Sequence, residues 1–106
     1  MLPVVLREAA RRDLDEALDH YLSVDARAAA AGFLACVERT IENIARYPQA
    51  GSPRYGHVLD LPGLRAWILD GYPYLVFYVE RRDHVDVWRV PHAERNIPDW
   101  MSGEAR

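Results

Sequence analysis

The sequence predicts an α+β fold in which an antiparallel hairpin of two helices packs on one face of a three- to four-stranded antiparallel sheet. Apolar residues recur at helical spacing through the first part of the chain, up to about residue 47. Beyond residue 63 the chain changes to short runs that are rich in branched and aromatic residues, which is typical of strands. With 106 residues, the chain is expected to form a single domain, 1–106, around one core.

The first three elements follow from local patterns. PVVL at 3–6 predicts a short strand at a sheet edge, where a proline is tolerated. One apolar stripe then predicts a first helix: Leu14, Ala17, Leu18 and Tyr21. A second stripe predicts a second helix that ends near Tyr47: Leu34, Val37, Ile41 and Ile44. Between them, Ser23 and Asp25 are turn and capping residues, so about three residues should join the two helices into a hairpin.

The second half of the chain predicts a meander. The segment 48–63 holds three prolines and three glycines, and it is expected to be an irregular crossover without a helix. Three strands should follow, in the segments LRAWIL, YPYLVFYV and HVDVWRV. Asp70-Gly71 indicates a two-residue hairpin between the first two, and 81–83 a tight polar turn.

This register divides the side chains between two faces of the sheet. The almost purely apolar face is expected to pack on the helices: Leu64, Ala66, Ile68, Leu75, Phe77 and Val79. The other face combines aromatic residues with arginines: Arg65, Trp67, Leu69, Tyr72, Tyr74, Val76, Tyr78, Val85, Val87 and Arg89. Such a composition is enriched at binding interfaces, so this face is expected to receive a partner. The alternative is that the C-terminal residues, with Ile97, Trp100 and Met101, fold across it.

The composition excludes several classes of function. All 13 basic residues are arginines and the net charge is −3, so no general basic field draws the chain to nucleic acid, although a local arginine patch could bind phosphate. Cys36 is the single cysteine, which excludes an internal disulfide, and the four histidines lack metal-ligand spacing. Neither a metal nor another cofactor is expected. Without a membrane-spanning run or a secretory signal, the chain is expected to be cytoplasmic.

Five segments, in this order along the chain, resemble the ParE/RelE toxin superfamily: ARRDLDEALDHY (10–21), IENIARYPQAG (41–51), LPGLRAW (61–67), YPYLVFYV (72–79) and WRVPHAERNIP (88–98). The similarity is greatest to the ParE branch of type II toxin–antitoxin systems, although the Ser-Pro that often precedes the first helix in this family is missing. The resemblance implies a helical hairpin on an antiparallel sheet and a toxin that a cognate antitoxin holds inactive.

The resemblance leaves two mechanisms open. ParE toxins characteristically block DNA gyrase without cutting anything, whereas RelE toxins cut messenger RNA on the ribosome. RNA cleavage needs a base, and arginine stays protonated, so the weak catalytic alternative is His92 with Arg65, Arg89 and Arg95 as phosphate ligands. A structural role for His92, in which its ring bonds a backbone group at a strand end, is favoured over the catalytic one. The chemistry favours a non-enzymatic inhibitor that acts by protein contact, and the resemblance implies DNA gyrase as its target; a ribosome-dependent endonuclease and a non-toxic interaction module remain the alternatives.

The expected protein partners are DNA gyrase and an antitoxin with a disordered, acidic C-terminal segment. That segment would place apolar groups against three anchors, Trp67, Tyr74 and Trp100, and carboxylates on Arg65 and Arg89. Neither membrane association nor sequence-specific DNA binding is expected.

Overall fold

The computed structural model describes residues 1–94 and residue 97. Within them the elements run in the order β1 (Val4–Leu6), α1 (Glu8–Ser23), α2 (Arg27–Arg46), α3 (Arg54–Val58), β2 (Leu64–Ile68), β3 (Leu75–Glu80) and β4 (Val85–Arg89). The α+β class, the helical hairpin and the N-terminal strand are confirmed.

Three residues, 24–26, join α1 to α2, as predicted. Asp25 adopts a left-handed conformation with φ +54°, and the Ala26 amide donates to the Tyr21 carbonyl at 2.8 Å, which closes the turn. Ala26 itself is the N-cap of α2, so the prediction that Ser23 or Asp25 caps that helix is wrong. The start of α1 has no side-chain cap either, since its N-cap residue is Arg7.

The sheet has the order β1-β4-β3-β2 and is mixed. β1 runs parallel to β4, whereas β4–β3 and β3–β2 are antiparallel pairs. The prediction that β1 is an edge strand is confirmed, but a purely antiparallel sheet is wrong. β1 and β4 are joined by a long stretch of chain that includes the helices. Such a connection allows two strands to run parallel, whereas a tight hairpin does not.

The predicted two-residue turn at Asp70-Gly71 is wrong by two residues. Trp67 pairs with Val76, and the Leu69 amide donates to the Tyr74 carbonyl at 3.0 Å, so the loop spans 70–73. The tighter turn would have placed Pro73 within the strand pairing, where it has no amide to donate. Because the shift is an even number of residues, each side chain stays on its predicted face.

The assignment of the two faces is inverted. The face predicted to receive a partner packs instead on α1 and α2, where its residues join one buried cluster with Ala10, Ala17, Phe33, Cys36, Val37 and Ile44. Two tyrosine hydroxyls of this face reach backbone carbonyls of the helical half. Tyr72 donates to Ala29 at 3.2 Å and Tyr78 donates to Pro48 at 2.8 Å. The aromatic residues therefore serve the interior of this chain.

The face predicted to pack on the helices is covered by α3 and Ile97. Its cluster contains Leu64, Ala66, Leu75, Phe77, Val79, Trp88 and Ile97. The ring of Tyr55 lies edge-on to Phe77, with centroids 5.2 Å apart, and anchors α3. This helix lies in the segment predicted to be irregular, so that expectation is wrong. Gly56 permits the contact, because a Cβ there would lie 2.6 Å from the Leu64 carbonyl oxygen.

The buried stripe of α2 is rotated relative to the prediction. Phe33 and Thr40 are buried, whereas Leu34 is 45% exposed. Cys36 is buried as expected, and its thiol contacts the Asp70 carbonyl at 3.4 Å. The stripe therefore follows the residues that reach β2 and β3.

Asp86 holds β1, β4 and the β3–β4 turn together. Its carboxylate accepts hydrogen bonds from the Arg7 guanidinium at 2.9 and 3.1 Å, from Arg81 at 3.1 Å and from the Trp88 indole at 3.0 Å. The Arg7 guanidinium also lies 4.4 Å from the centre of the Trp88 ring. Burial by itself raises the pKa of Asp86, but the hydrogen bonds from Arg7, Arg81 and Trp88 outweigh it and hold the pKa below its ordinary value.

Replacing Asp86 by Asn should lower the free energy of unfolding at pH 7 by about 1–3 kcal/mol, because two guanidiniums lose their anion. The lower part of that range is expected, since the Arg7 and Arg81 side chains are 39% and 43% exposed and water screens them. Asp86 stabilises the fold fully above its unfolded-state pKa, and this stabilisation is lost as the pH falls through the lower folded-state pKa. The difference in the free energy of unfolding between wild type and variant should therefore become smaller below about pH 4.

Urea unfolding of both proteins at pH 7 and pH 3 measures this gap, and Asp19→Asn, at an exposed position of α1, is the matched control. A gap that is absent at pH 7, or that widens at pH 3, would contradict the assignment.

The Tyr78 hydroxyl fastens the segment that follows α2, since it donates to Pro48 and accepts from the Gly51 amide at 3.0 Å. Tyr78→Phe leaves the Pro48 carbonyl and the Gly51 amide without this hydrogen-bond partner, and it should lower the free energy of unfolding by about 1–3 kcal/mol. Chemical denaturation would measure the loss, with Tyr47→Phe as the control, because Tyr47 is largely exposed. Equal losses in the two variants would show that the hydroxyl does not fasten this segment.

Candidate functional site

The chain forms a corner where β4 ends. β4 ends at Arg89, close to Pro91 as predicted, yet backbone pairing with the start of β3 continues beyond it. The Leu75 amide donates to the Pro91 carbonyl at 3.0 Å, and the Ala93 amide donates to the Pro73 carbonyl at 2.8 Å. These two bonds fix the position of His92, which forms an isolated bridge with Tyr74.

Arg89 is held against α1 by Asp13. The guanidinium donates to both carboxylate oxygens at 2.8 Å, and the Val90 amide donates to the same carboxylate at 2.9 Å. The two side chains are only 17% and 10% exposed. A bidentate pair of this kind fixes the orientation of Arg89, so its position is set by α1 as well as by β4.

His92 is oriented by its own backbone. Its Nδ1 accepts the Glu94 amide at 3.1 Å, so the neutral ring carries its proton on Nε2. The ring lies edge-on to Tyr74, with centroids 5.2 Å apart. These contacts match the structural role that the sequence left open beside the catalytic one.

A notch of about 200 Å³ lies between α1 and this corner, lined by Asp13, Glu16, Ala17, Tyr74, Val90, Pro91 and His92. The fold thus brings Tyr74 and His92 together, and Arg89 is linked to this notch through Asp13. Burial raises the pKa of Tyr74, so its hydroxyl keeps its proton near neutral pH.

Arg65 and Trp67 lie on a different part of the surface. Both belong to β2, at the opposite edge of the sheet from β1 and separated from β4 by β3. The Arg65 guanidinium donates to the Gly51 carbonyl at 2.8 Å, and Trp67 packs half-buried against the helix-side core. Arg65 also lines a cavity of about 520 Å³ beside α3. The predicted site residues therefore form two groups, and Arg95 and Trp100 lie outside the described residues.

Sequence reasoning missed Asp13 and Glu16. Glu16 is one of the charged residues that the sequence predicts on the solvated side of the first helix, with Arg11, Arg12, Asp15 and Asp19, and Asp13 was assigned no role. Asp13 nevertheless precedes Ala17 by four residues, and residues with that spacing share a helix face. Since Ala17 belongs to the apolar stripe, this spacing was the signal that Asp13 borders the core.

Two negative findings apply to residues 1–94 and 97. They contain no group of three or more His, Cys, Asp or Glu side chains that could hold a metal ion. No helix among them is long and apolar enough to cross a bilayer.

Comparisons with known proteins agree with this architecture. The family model of the ParE toxin of the type II toxin–antitoxin system, parDE, matches residues 4–97. A solved structure described as a chromosomal ParDE toxin–antitoxin system from P. aeruginosa superposes with a TM-score of 0.72 at 20% identity, covering 89% of this chain and 98% of that one. No curated protein sequence matches the chain. Because the family model covers nearly the whole chain, we conclude that the chain belongs to the ParE family of toxins of type II toxin–antitoxin systems.

Proposed function

We propose that this ParE-family chain arrests growth by binding DNA gyrase, without cutting RNA, and that a cognate antitoxin neutralises it in the cytoplasm. The observation that carries the proposal is the match to the ParE toxin model over residues 4–97. Inhibition by contact needs a shaped surface and no proton transfer.

The chemistry of the candidate site supports this choice. RNA cleavage through the 2′-hydroxyl needs a group that accepts a proton near neutral pH. Burial raises the pKa of Tyr74 and of Tyr78, which makes both poor bases. Arg89 is committed to Asp13, and Arg65 donates to a backbone carbonyl. Arg89 therefore offers a phosphate no ready-made pair of donors, and one N–H of Arg65 is already engaged.

One observation favours the second candidate function, ribosome-dependent RNA cleavage. His92 lines the notch together with Asp13, the carboxylate that holds Arg89, and a histidine near an arginine can act as an acid or base next to a phosphate ligand. The two mechanisms differ in which cellular process stops first.

The first prediction of this proposal concerns whether DNA supercoiling or protein synthesis stops first. On induced expression in a bacterial host, plasmid supercoiling should fall while protein synthesis continues, and the purified chain should inhibit supercoiling by gyrase in vitro. Translation that collapses first would contradict the proposal. His92→Asn, which keeps an acceptor for the Glu94 amide but no basic nitrogen, should then slow RNA cleavage by about 10²–10⁴-fold. No arrest at all would leave a non-toxic interaction module.

For the antitoxin, we propose docking along the β2 edge. β2 is an edge strand; in the described part of the chain Ser52 pairs with its outer side at Ala66, and Ile68 at its end is 69% exposed. Because Ser52 occupies both backbone groups of Ala66, an extended, disordered segment can pair with this edge only at its exposed end, near Ile68, from where it can place apolar groups against Trp67. Arg65 supplies the positive charge for an acidic segment. Tyr74 is buried, so Trp67 is the more accessible of these two anchors.

The second prediction tests this edge. Trp67→Ala and Arg65→Glu should each weaken antitoxin binding by at least tenfold, because each removes an anchor or reverses a charge at the docking edge. Calorimetry or surface plasmon resonance with the product of the neighbouring small open reading frame would measure the affinities. Arg82→Glu is the matched control, since Arg82 is an exposed arginine in the β3–β4 turn, away from β2. Unchanged binding in both test variants would rule out the β2 edge.

A further inference from the structure

The notch beside the β4 corner has one acidic wall. Asp13 is paired with Arg89, so it brings no net charge to the notch. Glu16 lies exposed on α1, and among residues 1–94 and 97 it forms no ion pair or hydrogen bond. The net charge of this wall is therefore negative and resides on Glu16.

The opposite wall holds a buried hydroxyl that has no partner within the described part of the chain. Tyr74 is only 9% exposed, yet its hydroxyl forms no hydrogen bond to any described residue. Every fully buried side-chain polar atom among these residues has a hydrogen-bond partner. The Tyr74 oxygen has none, so it must be partly exposed to solvent. Tyr74 also lines the notch.

The remaining lining suits a flat cation on an aliphatic stem. Ala17, Val90 and Pro91 supply apolar contacts for methylene groups. The half-buried ring of His92, which meets the Tyr74 ring edge to face, supplies aromatic surface on which a guanidinium can stack. A lysine ammonium is more strongly hydrated and cannot stack in this way.

We propose that the notch receives one arginine side chain of the cognate antitoxin, with the guanidinium between the Glu16 carboxylate and the Tyr74–His92 pair. The carboxylate accepts two hydrogen bonds in the planar geometry that arginine offers, and the Tyr74 oxygen accepts a third. This inference rests on the proposed neutralisation by an antitoxin, and it adds a contact of opposite polarity to the Arg65 contact at the β2 edge.

A small probe tests the notch without the antitoxin. N-acetyl-arginine amide, titrated into ¹⁵N-labelled protein, should shift the amide signals of Glu16, Ala17 and Glu94 saturably in the millimolar range. N-acetyl-citrulline amide has the same shape without the charge, and it should bind at least tenfold more weakly, as should the arginine probe with Glu16→Gln protein. Equal shifts from both probes, or shifts that survive in Glu16→Gln, would overturn the proposal. The titration does not depend on toxicity, so its outcome is separate from that of the proposed function.

A charge exchange then tests the partner. Glu16→Arg should weaken binding of the antitoxin encoded by the neighbouring open reading frame at least tenfold, and changing one antitoxin arginine to glutamate should restore it. Asp15→Arg, at the adjacent exposed position of α1, should leave the affinity unchanged, and circular dichroism verifies that both variants fold. Full affinity in Glu16→Arg, or failure of every antitoxin exchange to restore binding, would overturn the assignment.

Discussion

The fold depends on a sheet that is apolar on both faces and must be covered on both. Five consecutive residues of β3, Leu75–Val79, are buried, so successive side chains that point to opposite faces are all removed from water. The α1–α2 hairpin can cover only one face. The other needs α3 and Ile97, which explains why a short helix forms in a segment rich in proline and glycine.

The two faces of the sheet differ in the lengths of their side chains and in whether those side chains end in a polar group. The helix-side face carries tyrosines whose hydroxyls reach the Ala29 and Pro48 carbonyls, so one side chain both fills the core and ties the sheet to a neighbouring backbone segment. The α3 side is made of shorter aliphatic residues around Phe77 and Trp88. The Ala29 carbonyl lies in the first turn of α2 and the Pro48 carbonyl lies just beyond its last turn, so the two tyrosines tie the sheet to both ends of this helix.

The sequence predicted what local chemistry decides. The two helices, the three-residue connection between them and the edge position of β1 depend on neighbouring residues, and all three were correct, although the buried stripe of α2 is rotated. The choice of covered face was not local: Trp67 and Tyr74 have a composition that suits an interface and an interior equally, and only the presence of α3 decides between them. The two-residue shift in the β2–β3 hairpin could have been predicted, because Pro73 has no amide hydrogen to donate to a paired strand. Asp13, which fixes Arg89, was missed because its neighbours in the sequence of the first helix are mostly charged residues that face solvent.

The pairing of the arginines changes how a partner must bind. A carboxylate that approaches Arg89 has to displace Asp13, which already supplies two oxygens at 2.8 Å, so little net energy is available there. Long-range attraction at that corner comes instead from Glu16, whose sign is opposite. The surface thus has a positive group at the β2 edge, Arg65, and a negative one beside α1. A partner with one acidic and one basic segment would satisfy both groups in only one orientation along the sheet, so charge would set the direction in which it binds.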